Sequence, residues 1–503
     1  MKSKLFNILI ATAVYSFLFY EQKFGLNFLL FTLVIIGLLV YDKKERLKDK
    51  TWHWLAAASL LSGCFVFWHG TFIAFLANFL ALTTLGIYSV FPGVSIVTSW
   101  FYGLISYFSS FEFIILDNVS GNPKVPSQPI EEPKKHKFPP YLWLLFVLFV
   151  IVISVIFIGL YRNSNPLFRD LTDRINLDFI SFRWIVFTAF GFLLMYGFFK
   201  AKNIPELHTF ETTRGCMLDE EKLENKPNKL LGISIPIEFE ALGAIIILLI
   251  LNILLLMLNI LDISFFAGGL DLPDGITYSD YVHQGVGNLI FSVILVILIS
   301  MAIFRGKMNF HKEKITIVRT LALFWLCQNL VMIAMTAFRN QIYIEEYALT
   351  YRRIGVYVWL WVIAFGVVTT IYKVWKKKNN FFLYRINGLS MLFVVLFLAA
   401  FNWDIIIINY NVKKSAEVDF KYLKNMNDNA IPILVQAVND KIPDTLTAKN
   451  DIYTIFKDEW IDYLAYRKNE YMIKWETKSW KSWNIDDYNT AMELKGMKLD
   501  IPE

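Results

Sequence analysis

The sequence predicts an all-α, polytopic helical membrane protein of about eleven transmembrane helices, with a small helical extracytoplasmic region at its C-terminus. Three observations carry this prediction. The 503 residues are 56% hydrophobic and 17% aromatic, with a mean hydropathy of +0.46, against about 45–50% apolar residues in soluble domains. Apolar runs of roughly 17–25 residues, the length that carries a helix across about 30 Å of hydrocarbon, recur along most of the chain. From residue 411 onward the composition turns charged and helical.

Taken in order, the basic start Met1–Lys4 and the run "LFNILIATAVYSFLFY" have the make-up of a secretory leader. A second run, 26–41, follows within a few residues, so a retained helical hairpin accounts for both. Spans are expected at 4–20, 26–41, 52–68, 71–90, 140–161, 178–199, 237–262, 282–304, 315–338, 352–372 and 384–402. The stretch 94–114 differs. Val94, Val97, Phe101, Leu104, Phe108 and Phe111 recur at helical spacing, while Ser95, Ser99, Gly103, Ser106 and Ser110 fill the other face. That pattern predicts a helix lying in the interface.

Loop charges set the orientation, since short Lys- and Arg-rich loops stay in the cytoplasm. Loop 42–51 carries Lys43, Lys44, Arg46, Lys48 and Lys50; loop 305–314 carries Arg305, Lys307, Lys312 and Lys314; loop 373–383 carries Lys376, Lys377 and Lys378. Loop 263–281 has neither Lys nor Arg. These loops agree if the N-terminus is cytoplasmic, the C-terminus is outside and 94–114 does not cross; Arg162, Arg169 and Arg174 dissent. The expected organisation is an N-terminal membrane bundle (1–116), a cytoplasmic Pro-rich linker (117–139), a central membrane bundle (140–410) and a C-terminal extracytoplasmic helical region (411–503). In the last, Pro432 suits a helix start, and Ile452, Ile455, Phe456, Trp460, Tyr463 and Leu464 form an apolar stripe. Trp475, Trp480 and Trp483 are expected to pack inside it.

Several chemistries are excluded. Cys64, Cys216 and Cys327 form no CxxC pair, which argues against a disulfide framework or a structural zinc site. HExxH, a His pair at i+4, Walker, GxGxxG and GxSxG patterns are missing, so no metal and no cofactor is expected. The net charge of +6 resides in loops between spans and implies no nucleic acid.

Polar residues nevertheless enter the spans. In "DGITYSDYVHQGVGNLIFSV", Asp280, His283, Gln284, Gly287 and Asn288 share one helical face. An ionisable group at the centre of a membrane helix costs about 2.5–3.5 kcal/mol, so this face should meet protein or water. Gln328, Met332, Thr336 and Asn340 follow at i+4 steps, with Arg339 at the end; Glu346, Thr350, Arg353 and Tyr357 line the next helix, and Asn402, Asp404, Asn409 and Tyr410 close the last span.

The expectation is a polar pocket at the outer membrane face that binds or transports a small polar or anionic ligand. Its candidate residues are Tyr278, Asp280, Tyr281, His283, Gln284, Asn288, Arg339, Glu346, Thr350, Arg353, Tyr357 and Asp404, with the two guanidinium groups as anion donors. Interhelical hydrogen-bond glue, at about 0.6 kcal/mol per contact, is the structural alternative. A membrane enzyme acting on a lipid-linked or envelope substrate, with His283 or Glu346 as general base, is a rival. So is an envelope scaffold or sensor that recruits a protein partner through 411–503. His69, in "FWHGT", is a candidate neighbour of His283.

The segments "TYSDYVHQGVGNLI", "EEYALTYRRIGVYVW", "NWDIIIINYNV" and "DFKYLKNMNDNAIPILVQ" resemble, in order and spacing, an uncharacterised bacterial multi-pass membrane family, domain of unknown function forty-one seventy-three, related to forty-one fifty-three. The resemblance covers roughly residues 140–440. It implies a bacterial inner-membrane protein in contact with membrane lipid, and no established activity. Tyr278, Tyr281, His283, Gly285, Tyr347, Thr350, Arg353, Asn402, Asp404, Tyr410 and Asn411 match the family's motif positions, and the family often has Gly where this chain has Ala348.

Overall fold

A computed structural model describes residues 2–119, 150, 153–154, 157–173, 182–202, 204–221, 229–230, 233–268, 278–311, 314–414, 420–441, 445–447 and 454–497. The linker beyond residue 119 and the first part of the span expected at 140–161 lie outside the described residues.

Most expected spans are helices with nearly the predicted bounds: α1 (Lys2–Phe19), α2 (Leu26–Asp42), α3 (Lys50–His69), α4 (Phe72–Val90), α5 (Ile96–Val119), a short α6 (Pro166–Asp173), α7 (Phe182–Phe199), α8 (Pro205–Thr213), α9 (Ile237–Ala267), α10 (Tyr278–Ile303), α11 (Ile315–Tyr347), α12 (Tyr351–Trp375) and α13 (Asn380–Ala399). Six of them, α4, α7, α9, α11, α12 and α13, are long and apolar enough to cross a membrane, and three shorter apolar stretches lie in α1, α2 and α10. Two short antiparallel pairs, β1 (Lys229–Leu230) with β2 (Ile233–Ser234) and β3 (Thr445–Thr447) with β4 (Thr454–Phe456), interrupt the helical pattern. Ile455 and Phe456, expected in a helical stripe, therefore belong to a strand.

Small residues decide which helices meet. Thr188 of α7 bonds Ser16 of α1 at 2.7 Å. A Cβ on Gly191 would sit 2.2 Å from the Tyr15 ring, and one on Gly197 would sit 2.5 Å from the Ser106 carbonyl of α5. Helix α7 thus belongs with α1, α4 and α5, across the domain boundary expected from sequence. Asn78 ties this bundle together, donating to Thr32 Oγ1 (3.0 Å), the Ser59 carbonyl (3.2 Å) and Ser62 Oγ (3.2 Å).

Helix α5, the stretch expected in the interface, lies lengthwise and antiparallel to α4: Trp100 donates to Thr84 (2.9 Å), Gly103 abuts Thr83, and Tyr107 bonds Thr83 and touches Phe79. Its small face is its packing face. The Glu211 carboxylate of α8 caps its start, accepting from the Ser95 amide (3.1 Å), the Ser95 hydroxyl (2.9 Å) and Thr98. At the same end, buried Lys373 of α12 donates to the Phe304 carbonyl (3.0 Å) and caps α10, where a cation suits the helix C-terminus.

Past α14 (Trp403–Lys414), the C-terminal helices α15 (Phe420–Leu423), α16 (Ile431–Lys441), α17 (Lys457–Glu476) and α18 (Ile485–Gly496) share a core. That core includes Leu423, Ile431, Leu434, Trp460, Leu464 and Leu494, and it reaches Ile344 of α11, Leu349, and Ile407 and Ile408 of α14. Pro432 stands in the first turn of α16, as its missing amide favours. Trp483 packs on Phe67 and Tyr488, whereas Trp480 stays 54% exposed.

Candidate functional site

The polar residues expected to form one pocket are distributed over several places. Tyr278, Asp280, Tyr281, His283 and Gln284 start α10, and their side chains lie outside the described residues. Asn288, one and two turns on, is exposed, as is Glu346. Arg339 turns toward α9 and pairs with Asp262, both side chains nearly buried at 7% and 6% exposure. Further along the same seam, Gln328 donates to Asn252 Oδ1 (2.7 Å) and Asn259 to the Gln328 carbonyl (3.1 Å). These are interhelical bonds of the kind weighed as glue.

Thr350, Arg353, Tyr357 and Asp404 do come together, at the elbow between α11 and α12. Arg353 donates to the Tyr347 carbonyl (2.5 Å) and the Ala348 carbonyl and lies 4.2 Å over the Tyr343 ring. It thereby satisfies carbonyls left over at the end of α11. Asn340 donates to the Arg353 carbonyl (3.1 Å), Tyr357 to Gln341 (2.9 Å) and Tyr351 to Asp404 (2.8 Å). Asn411 brackets Leu349, accepting from its amide (2.7 Å) and donating to its carbonyl (3.0 Å). The motif residues build a knuckle that joins α11, α12, α14 and the C-terminal core, and both guanidinium groups expected as anion donors are engaged within the protein.

Ala348 is the strained point of this knuckle, with φ 69° and ψ 173°. That region is essentially reserved for glycine and costs other residues on the order of 1–3 kcal/mol. A glycine there removes a Cβ penalty. Ala348→Gly is expected to raise stability by about 1 kcal/mol or more, measured as the denaturant midpoint of the purified protein; an unchanged or lowered midpoint refutes the strain.

A polar cavity lies elsewhere. About 710 Å³ opens between the α1–α2 turn, the α3–α4 turn and the C-terminal helices, bordered by Gln22, Lys23, His69, Lys474, Lys478 and Asp487. Its walls are locked together. Lys23 donates its amide to Ser482 Oγ (2.8 Å), Ser482 donates to Gln22 Oε1 (3.0 Å), and the Leu26 amide bonds the Trp483 carbonyl (2.9 Å). A Cβ on Gly25 would meet that backbone at 2.5 Å, so only glycine allows the approach.

At the cavity's edge, Asp486 accepts from His69 Nδ1 (2.8 Å) and Asn402 Nδ2 (2.8 Å), and His69 Nε2 faces the Ala400 carbonyl at 3.1 Å. His69 therefore meets Asp486, where sequence suggested His283. Lys474 pairs with Glu470 (2.5 Å), whose hydrogen bond holds the ammonium above its ordinary value, and Lys478 pairs with Asp487. Burial and the Asp487 charge push the Tyr471 hydroxyl up, keeping it a neutral donor to the Asp487 carbonyl at 2.8 Å. Sequence reasoning missed this cavity because its walls come from residues 21–24, 69–70, 427–428 and 471–487. Only the tryptophan-rich stretch after 474 hinted that this region packs rather than dangles.

A family model described as a domain of unknown function, DUF4153, matches residues 5–437. No curated protein and no solved structure matches the chain. The family that matches is the second of the two named from the motifs, in place of the first. The match also starts at residue 5 instead of near 140, which agrees with α7 packing among the N-terminal helices. Over residues 5–437 the chain belongs to the DUF4153 family, a domain of unknown function.

Proposed function

We propose that this is a multi-pass bacterial inner-membrane protein whose outward-facing polar cleft binds or transports a small polar or anionic ligand. One observation carries the reading: a 710 Å³ polar cavity walled by helix turns and the C-terminal helices, a size typical of ligand sites. The site is this cleft, and the knuckle around Arg353 supports it from below.

Orientation follows from charge. The cleft end holds the turns at 20–25, 70–71 and 400–402, and the opposite end holds the basic loops 42–50, 304–311 and 376–378, which favour the cytoplasm. Helix α5, antiparallel to α4 along its length, counts as a crossing in this reading.

The enzymatic alternative draws on the His69–Asp486 pair. Both ring nitrogens face acceptors, so neither is available to take a proton from a substrate. Docking of the C-terminal helices is the role this pair supports.

The test places single cysteines at 474 and 310 in a cysteine-free background. Cys at 474 is expected to react with a membrane-impermeant maleimide in intact cells, and Cys at 310 only after permeabilisation. Glycerol 3-phosphate, as a small anionic probe, is expected to slow labelling at 474. Labelling of 310 from outside inverts the orientation. A rate at 474 indifferent to glycerol 3-phosphate and to added lipid removes the cleft as a binding site.

A further inference from the structure

Two residues that border the polar cleft also border a second cavity. An aromatic groove of about 470 Å³ runs among α1, α2, α4, α5 and α7 at the depth of the membrane helices, and Gln22 and Phe24 border both spaces. The groove's wall includes Phe19, Phe28, Phe79, Phe187 and Leu194. Phe24 stacks on Phe75 at 5.1 Å and Phe19 sits 4.6 Å from Phe28, so the rings that border the groove brace one another.

Three of the polar residues bordering this groove, Asn78, Thr83 and Tyr107, are already partnered. Asn78 spends its amide on Thr32, Ser59 and Ser62, and Thr83 and Tyr107 bond each other at 2.9 Å. Water entering the groove would find few partners, and a large apolar void left empty forfeits packing contacts. Hydrocarbon fills it at no such cost. Phe190 on its wall is 54% exposed, so one wall of the groove reaches the surface of the helix bundle.

We propose that cleft and groove are one site for a single amphiphilic lipid, its head group in the polar cleft and one hydrocarbon chain in the aromatic groove. Gln22 and Phe24 mark the point where head and chain join. The cleft carries Lys23, Lys474 and Lys478 beside Glu21, Asp428 and Asp487, a mixed-charge lining suited to a phosphate-bearing head that also has hydroxyl or amine donors. This proposal rests on the reading of the cleft as a ligand site and names the class of its ligand.

The experiment uses the full-length protein in nanodiscs with two probes, each carrying a diazirine at the chain tip: a phospholipid labelled on one acyl chain and a polyprenyl phosphate. Peptides covering 75–83 and 187–198 are expected to take up label about tenfold above peptides of α9, which faces lipid broadly. The probe giving the stronger label tells an acyl from an isoprenoid chain. Leu194→Trp, which fills the groove, is expected to abolish the excess. In the wild type, unlabelled lyso-phospholipid is expected to compete for it, a readout independent of how the variant folds.

Uniform labelling of α9 and the groove, or an excess that competitor leaves unchanged, overturns the proposal. If glycerol 3-phosphate protects a cysteine at 474 while chain labelling stays uniform, the cleft binds a soluble ligand and only the lipid inference falls. If neither probe nor glycerol 3-phosphate acts at either place, both readings fall together.

Discussion

Arg339→Ala is expected to lower stability by about 3–5 kcal/mol, the cost of leaving a buried charge without its partner. The Asp262 carboxylate and the Arg339 guanidinium are 6% and 7% exposed on adjacent membrane helices. With the arginine gone, α9 presents an uncompensated carboxylate among apolar side chains, where water cannot reach it. Asp262→Leu alone should harm the protein comparably. The double change Arg339→Met with Asp262→Leu should recover most of the loss, since an apolar pair of similar volume avoids both desolvation costs. The measurement is a double-mutant cycle in denaturant midpoints of detergent-purified protein. Near-additive losses in the double variant would show that the two side chains act separately. The same reasoning changes the expectation for Arg353→Ala: its guanidinium closes the end of α11, so the loss falls on folding of the knuckle before it falls on any ligand.

The helices were legible because lipid imposes a length and an apolar composition on every crossing. The stretch 26–41 became Leu26–Asp42, and a hydrophobic run has few other ways to satisfy its backbone in a bilayer. Partner choice was not legible, since lipid tails are as apolar as leucine and set no preference among helices. Ser95, Ser99, Gly103, Ser106 and Ser110 show the ambiguity: one small, weakly polar face suits a helix in the interface and a helix packed tightly on its neighbours. Depth along α4 and α7 is what separates the two.

None of the residues expected in the pocket borders the cleft, so the cleft was not legible in the residues singled out from the sequence. Polar faces on α11 and α12 were correctly seen, yet their bonds turn inward, to Asp262 and to the elbow carbonyls. Asp262 was itself visible as the lone charged residue of 241–267, with Asn259 one turn before it, and that isolation could have pointed to its pairing. The cleft combines two turns with a region some 400 residues later, a convergence no local spacing encodes.

Asp486→Ala is expected to loosen α18 from the end of α3 and from Asn402, while the core that the C-terminal helices share with Ile344, Leu349, Ile407 and Ile408 stays packed. Asp486 is the single acceptor for two donors on different elements, His69 at the end of α3 and Asn402 before α14. Removing it orphans both, at about 1–3 kcal/mol for each buried donor. His69→Ala is the milder control, because the Asn402–Asp486 bond survives it. The core shared by α15 to α18 does not depend on this acceptor, so the C-terminal helices keep their own packing. Limited proteolysis reads the outcome: cleavage between α14 and α15 should accelerate several-fold in Asp486→Ala, with a C-terminal fragment that remains resistant, and less in His69→Ala. Equal cleavage of wild type and both variants would mean that the backbone bonds at Leu26 and the Gly25 approach hold the two parts without the Asp486 contacts. The cleft predicts a second readout in the same variant. Its two walls meet across this contact, so protection of a cysteine at 474 should be lost in step with the faster cleavage.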